Sequence, residues 1–159
     1  MEVRPPSYLG RGRALGGPAG VAAGVRGGFP RERSATYGRA HMATRPVLVV
    51  EDDADTRELL TDALREDGFD VIASDEGRKA IELATVLRPS VVLLDMAMAG
   101  MDGRTFLERR RSVPTLARTP VVVISGSDVT GVAADAILRK PLELREVLAT
   151  VRRLRARGS

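Results

Sequence analysis

The sequence predicts a doubly wound α/β domain, in which helices cover both faces of a parallel sheet of about five strands. Short apolar runs alternate with amphipathic segments between residues 45 and 159, a pattern typical of strands joined by helical crossovers. The first run, Val47–Val50, has no polar position, as expected of a strand buried on both faces. Because such crossovers are right-handed, the carboxyl ends of the strands should meet at one edge of the sheet, where ligands bind.

The predicted strands are short, and polar or turn-forming residues follow each of them: Val47–Val50, Asp70–Ala73, Val91–Leu94, Val121–Ile124 and Ala136–Arg139. A first helix is predicted between Glu51 and Gly68, because an acid or Thr can cap its start and glycine stops it. Its apolar positions recur at helical spacing and are Leu59, Leu60, Ala63 and Leu64.

Three further helices are predicted from the same spacing. Glu76–Arg88 ends before Pro89, and its inward residues should be Ala80, Ile81, Ala84 and Leu87. Gly103–Arg111 holds Phe106 and Leu107. Glu143–Arg157 carries one apolar stripe, formed by Leu144, Val147, Leu148, Val151 and Leu154.

Composition excludes several kinds of site. The chain has no Cys and a single His, His41, so disulfides, thiol catalysis and clusters of histidine ligands are excluded. No apolar run approaches the roughly 18 residues of a membrane span, and we expect a cytoplasmic protein. Residues 1–44 carry seven Arg and two Glu, whereas residues 45–159 sum to a charge of −1. A basic patch for nucleic acid is therefore not expected on the folded part.

Residues 1–44 are predicted to form a disordered extension. They hold nine of the sixteen Gly, with many Arg, Pro and Ala, and can bury too little apolar surface to offset the entropy of ordering. Three interpretations stay open: a flexible tail without a role, a start assigned too early with Met42 as the true start, or a nucleic-acid or targeting arm. The folded domain accordingly spans residues 45–159.

Polar residues follow the predicted strands at the shared edge. In chain order they are Glu51, Asp52, Asp53, Asp95, Ser125 and Lys140. Asp53 has an ordinary explanation as a helix N-cap. Asp95 does not, because it directly continues an apolar strand and no helix begins in the next few residues. Lys140 is informative because the chain uses 23 Arg and two Lys, and a compact ammonium suits contact with one small anion.

Carboxylates that converge on one edge repel one another and raise their pKa values unless a cation joins them. Oxygen ligands of this kind favour Mg²⁺. An Asp beside Mg²⁺, an ammonium and a hydroxyl is an arrangement for phosphoryl transfer, in which the carboxylate attacks phosphorus. No Walker-type phosphate loop is present, so a bound nucleotide is not expected.

Four motifs, VLVVEDD, VVLLDMAMAGMDG, PVVVISG and LRKPL, occur in this order and closely resemble the receiver domain of bacterial two-component response regulators. The resemblance covers about residues 46–155 and implies a flavodoxin-like sheet of order 2-1-3-4-5. Asp95 would then be the phosphoacceptor, Ser125 would hydrogen-bond the phosphoryl group and Lys140 would pair with it. The Mg²⁺ ligands would be Glu51 (directly or through water), Asp52, Asp95 and the backbone carbonyl of Ala97. A cis bond between Lys140 and Pro141 is also implied.

The chain departs from the receiver pattern in two loops and one strand. Ala99 stands where the family commonly has Pro, so the loop after Asp95 should be looser. Ile137 replaces an aromatic that reports phosphorylation in many members, which puts that switch in doubt. Only fourteen residues separate Ser125 from Lys140, so a loop or a single turn should replace the fourth helix. Dimerisation through that surface is then disfavoured, and we expect a monomer or weak dimer.

The lifetime of the phosphoryl group should also differ. In this family, side chains two positions after the phosphoacceptor and two after the Ser or Thr influence the attacking water. Here they are Ala97 and Ser127. Because Ala97 cannot orient a water by hydrogen bonding, slow autodephosphorylation is expected.

The predicted function is that of a single-domain response regulator. It would accept a phosphoryl group from a sensor histidine kinase or phosphotransfer protein and signal through a downstream protein, without a DNA-binding domain. We expect no enzymatic activity beyond its own phosphorylation and dephosphorylation, since Ala97 stands where a related phosphatase needs a second acid. A flavin-binding module is disfavoured because EDDAD would repel phosphate. The alternative is a degenerate receiver that acts as an unphosphorylated interaction module.

Overall fold

The computed structural model describes residues 44–157, so the predicted disorder of the extension falls, except at Thr44, outside the described residues. Five strands and five helices follow one another in this part of the chain. They are β1 (Val47–Val50), α1 (Ala54–Glu66), β2 (Val71–Ser74), α2 (Gly77–Leu87), β3 (Val91–Asp95), α3 (Gly103–Arg110), α4 (Pro114–Ala117), β4 (Val121–Ser125), β5 (Ala136–Arg139) and α5 (Leu144–Arg157).

The strands form one parallel sheet of order β2-β1-β3-β4-β5, which confirms the predicted flavodoxin-like, doubly wound fold. The register places Val50 beside Leu94 and Asp95 beside Ile124. Strands β1, β3 and β4 each have a neighbouring strand on both sides, and helices cover both faces of the sheet, so all their residues are buried. The carboxyl ends of these strands therefore share one edge of the sheet, as the sequence predicts.

Two apolar clusters cover the two faces of the sheet. Val47 and Val49 point into the cluster beneath α1 and α5, whereas Leu48 and Val50 point into the one beneath α2, α3 and α4. This alternation follows from the two-residue period of a strand. The predicted stripe on α5 lies in the first cluster. In the described residues, no helix is both long and apolar enough to cross a membrane.

One predicted inward position, Leu87, is wrong, and one of the apolar positions at helical spacing, Leu59, is exposed. Leu59 on α1 is 52% exposed and Leu87 on α2 is 40% exposed. On α1 the buried face runs through Leu60, Thr61 and Leu64, and Leu59 lies about a hundred degrees around the helix from Leu60. Leu87 is the last residue of α2. Spacing alone therefore identified Leu60 and Leu64 on the buried face of α1 but also included Leu59, which lies outside it.

The segment between β4 and β5 contains no helix, as its short length predicts. It is nevertheless packed, because Val129 is buried in the second cluster and Asp135 Oδ2 accepts a hydrogen bond of 2.8 Å from the amide of Val121. A helix that the sequence analysis did not predict, α4, precedes β4 instead. The sequence feature that could have indicated this helix is Pro114, which occupies its first position.

Candidate functional site

Asp95 is the last residue of β3 and is only 2% exposed. The strand before it is fully buried, and the amide of the next residue, Met96, donates to the carbonyl of Ile124 at 3.0 Å. The backbone is thus hydrogen-bonded to β4 immediately past the carboxylate. This places a rigidly held, nearly buried acid at the carboxyl edge of the sheet.

Two further acids stand beside it at the end of β1. Glu51, Asp52 and Asp95 can each offer one oxygen, and these oxygens all lie within 4.8 Å of one another. Arg57 on α1 fixes the turn that carries the first two, because its Nη1 donates to the carbonyls of Glu51 and Asp52 at 2.9 and 3.1 Å. Sequence reasoning missed Arg57, since nothing in a helical Arg indicates that it binds the preceding turn.

Lys140 follows β5 and contacts both buried acids. Its Nζ lies 3.2 Å from Glu51 Oε2 and 3.2 Å from Asp95 Oδ1. Its amide donates to the carbonyl of Ser125 at 2.9 Å, and the bond to Pro141 is cis, as the resemblance implies. Burial alone lowers the pKa of Lys140, but its contacts with Glu51 and Asp95 and their charges raise it overall. Lys140 is therefore an ammonium at neutral pH.

One ammonium does not balance three acids. Burial, followed by repulsion from Asp95, raises the pKa of Glu51 despite the opposing hydrogen bond and charge of Lys140. Asp95 Oδ1 is buried and lacks a well-aligned hydrogen-bond donor among the described residues, although Nζ lies at ion-pair distance. Three convergent carboxylates with residual negative charge form an all-oxygen donor set. That set is compatible with Mg²⁺, which favours such ligands.

Ser125 ends β4 and is almost fully buried. Its Oγ donates to the carbonyl of Ser127 at 3.0 Å and accepts from the amide of Ser127 at 3.2 Å. A hydroxyl has one proton to donate. To donate to a group on Asp95, the side chain of Ser125 has to release the carbonyl of Ser127.

The loop after Asp95 carries Ala97 and Ala99, both exposed. The amide of Ala99 donates to Asp52 Oδ2 at 2.9 Å. Proline has no amide proton, so the family's usual residue could not make this bond. The expected loosening of the loop is therefore opposed by a direct link to the acidic cluster. The assignment of the Ala97 carbonyl as a metal ligand stays a prediction.

Gly103 lets α3 start close beneath this loop. A Cβ there would lie 2.8 Å from Met96 Cα and 2.9 Å from the carbonyl oxygen of Asp95. We expect Gly103→Ala to lower the free energy of unfolding by about 1–3 kcal/mol through overpacking against backbone, as measured by urea denaturation. Gly126→Ala is the control, because an added Cβ there meets nothing within 4 Å. Equal stability of the two variants would contradict the close approach of Gly103 to the backbone of Asp95 and Met96.

The raised pKa of Glu51 predicts a pH dependence. The folded state binds the Glu51 proton more tightly than the unfolded state, whose carboxyl titrates near 4.5. The contribution of Glu51 to the free energy of unfolding is therefore largest at low pH, and it decreases as the pH rises from 4.5 through the folded-state pKa. Glu51→Gln should remove it, so the variant should gain stability relative to wild type between about pH 4.5 and 7. Urea denaturation in metal-free buffer measures the difference, and a constant difference across that range would refute the assignment.

The chain belongs to the response regulator receiver domain family, whose model it matches over residues 47–152. It is 36% identical over 113 residues to the DNA-binding response regulator MtrA of Mycolicibacterium paratuberculosis, covering 67% of this chain and 49% of that protein. The chain thus spans about half the length of the MtrA proteins it matches.

Solved receiver structures share the fold. The receiver domain of the Francisella response regulator 1452 is 26% identical, with a TM-score of 0.67 over 73% of this chain and 100% of that one. The receiver domain of the sensor histidine kinase PA1611 of Pseudomonas aeruginosa PAO1 is 21% identical, with a TM-score of 0.66 over 70% of this chain and 98% of that one. The PA1611 structure has a magnesium ion coordinated in its active site cleft.

Proposed function

We propose that the chain accepts a phosphoryl group on Asp95 from a sensor histidine kinase or a phosphotransfer protein, with Mg²⁺ as cofactor. The observation that carries this proposal is the buried Asp95 carboxylate, with Lys140 Nζ at 3.2 Å and acidic oxygens within 4.8 Å. Membership of the receiver family and the magnesium ion of the PA1611 receiver support it. The phosphorylated chain would then signal through contacts with a downstream protein.

The residues present fit Mg²⁺, which Glu51, Asp52, Asp95 and the Ala97 carbonyl would hold. The ion would neutralise the acids and the oxygens of the transferring phosphoryl group. An Asp95 carboxylate oxygen attacks phosphorus, its new O–P bond forms as the donor's P–N bond breaks, and the histidine side chain leaves. Lys140 pairs with a phosphoryl oxygen, and Ser125 donates a hydrogen bond to another.

The chemistry suggests how the signal starts. A phosphoryl group draws Lys140 away from Glu51 and the Ser125 hydroxyl away from the Ser127 carbonyl, because it offers both a stronger acceptor. The release of the Ser127 carbonyl acts on the helix-free segment between β4 and β5, to which Ser127 belongs. The signal is thus a local rearrangement caused by added charge. Ile137, which is 43% exposed on β5, offers an aliphatic contact where many members have an aromatic ring.

Two other functions are less well supported. An aspartate-nucleophile phosphatase needs a second acid two residues after the nucleophile, and Ala97 offers none. A degenerate receiver would lack part of the acid, hydroxyl and ammonium set, which is complete in this chain.

Incubation with acetyl phosphate or phosphoramidate tests the proposal. Intact-mass analysis should show one added phosphoryl group per chain when Mg²⁺ is present and none when the divalent cations are chelated. The linkage should be stable in acid and labile in base, as expected of an acyl phosphate. Failure of both donors, and of a panel of phosphorylated histidine kinases, to label the chain would sink the proposal.

The lifetime of the phosphoryl group gives a separate prediction. The Ala97 side chain has no group that can hydrogen-bond to water, so loss of phosphate should be slow, and Ala97→Asn should shorten the lifetime by orienting a water. The decay is followed by intact mass after removal of the donor. Ala97→Val is the control, because it enlarges the same side chain without adding a group that can hydrogen-bond to water. Decay of the unaltered chain as fast as that of chemotaxis-type receivers would contradict the prediction.

A further inference from the structure

A cavity of about 750 Å³ opens at the amino edge of the sheet. Its walls come from residues that precede β1, β3 and β4 and from the ends of α2, α4 and α5. Asp95 and its neighbours follow these strands, so the cavity lies at the opposite edge. The volume is within the range of sites that hold small molecules, and the phosphoacceptor chemistry makes no use of it.

The charge of this cavity is one-sided. Its lining contains four arginines and no acid among the described residues, and the four are Arg45, Arg88, Arg118 and Arg157. A guanidinium stays protonated in proteins, so four positive charges persist around one space. The net charge of −1 over residues 45–159 conceals this local excess. Like charges so arranged repel one another, and a bound anion relieves the repulsion.

Arg45 is held in place by backbone. Its Nε donates to the carbonyl of Arg88 at 2.9 Å, and its Nη2 donates to the carbonyl of Pro89 at 2.8 Å. These bonds use two of the five N–H groups of the guanidinium and fix its plane. The remaining donors are therefore pre-oriented, which reduces the entropy lost when they bind an anion.

Arg88 occupies a backbone conformation that favours glycine. Its φ is 47°, and no other non-glycine residue in 44–157 has a positive φ. It follows α2 at the position where helices commonly end in glycine, since a Cβ in the left-handed region costs on the order of 1 kcal/mol. Strained residues of this kind concentrate at functional sites. An arginine at this position adds a cationic residue to the lining of the cavity at a cost in stability.

We propose that the cavity binds a small polyphosphate anion, in which two or three linked phosphates meet the four arginines. The planar fork of Arg matches pairs of phosphate oxygens. None of the described residues that line the cavity is aromatic, so none of them stacks on a nucleobase. The phosphate chain is therefore the part recognised, and inorganic triphosphate and ATP should bind alike. The site is independent of Asp95.

Calorimetric titration of the full chain with inorganic triphosphate, in buffer freed of divalent cations on a chelating resin, tests this proposal. Arg88→Gly and Arg118→Ala should each weaken binding by about tenfold or more. Arg153→Ala, which removes an exposed charge from α5, should bind as the unaltered chain does. Arg88→Gly should also be at least as stable to urea, because glycine relieves the strain at φ 47°. Its loss of binding would then not arise from misfolding.

Three results would overturn the proposal. The first is unchanged affinity in both cavity variants, which would place the anion elsewhere, for example on the seven Arg of residues 1–44. The second is no binding beyond that of chloride at equal ionic strength. The third is binding of ATP or RNA without binding of inorganic triphosphate.

Discussion

The Asp95→Asn variant should incorporate no phosphoryl group from any donor that labels the unaltered chain. An amide oxygen is a far weaker nucleophile than a carboxylate oxygen, and no other acid of the site sits at the end of the buried strand β3. Intact-mass analysis after incubation with phosphoramidate and Mg²⁺ measures the effect. The expected change is a fall from one phosphoryl group per chain to background.

A matched control separates the loss of the nucleophile from the loss of one negative charge. Asp53 lies two residues from Glu51, is exposed, and caps α1 by accepting a 2.8 Å hydrogen bond from the amide of Thr56. Asn also caps helices well, so Asp53→Asn should fold and be phosphorylated as the unaltered chain is. Labelling that persists in Asp95→Asn, or is lost in Asp53→Asn, would contradict the assignment of the acceptor.

Lys140→Met should lower the free energy of unfolding by about 2 kcal/mol in metal-free buffer at pH 7. Removal of one partner from a buried ion pair typically costs ~3–5 kcal/mol. The smaller value applies because the Lys140 side chain is 32% exposed and solvent screens part of its charge. The reason for the loss is that Glu51 and Asp95 remain buried without their ammonium partner. Urea denaturation measures it.

The same variant should respond more strongly to Mg²⁺. In this variant Mg²⁺ can neutralise the three acids in place of the missing ammonium, and the positive charge of Lys140 no longer repels the ion. The melting temperature should therefore rise more with Mg²⁺ in Lys140→Met than in the unaltered chain. The other lysine of the chain is the control. Lys79 forms an exposed ion pair of 3.7 Å with Asp75, and Lys79→Met should change stability by less than about 1 kcal/mol. Equal stability of Lys140→Met and the unaltered chain would show that Lys140 does not balance the acids.

The positions of Asp95 and Lys140 were predictable because parallel topology alone brings the carboxyl ends of strands to one edge. The apolar run before Asp95 fixes β3, and crossover connections through helices make successive strands parallel. The absence of a helix between β4 and β5 was predictable for a similar reason, since chain length limits what a connection can contain. These features depend on pattern and topology, which the sequence states directly.

The hydrogen bonds that hold the site in place depend on the geometry of loops, which the sequence pattern does not predict. The bonds from Arg57 to two carbonyls and from the Ala99 amide to Asp52 join atoms whose positions follow from turns. The bond between Ser125 and Ser127 is of the same kind. A resemblance to receivers indicates which residues meet, but it gives no orientation for their side chains.

Chemical trapping of the modified residue tests the central claim most directly. After incubation with phosphoramidate and Mg²⁺, borohydride reduces an aspartyl phosphate to homoserine, and peptide mass spectrometry locates it. The proposed function predicts homoserine at position 95 in the full chain, and none when Mg²⁺ is left out. Homoserine at position 52 or 53 instead, hydroxynorvaline from a reduced glutamyl phosphate at position 51, or phosphoryl incorporation that leaves no reduced residue at all, would contradict Asp95 as the phosphoacceptor.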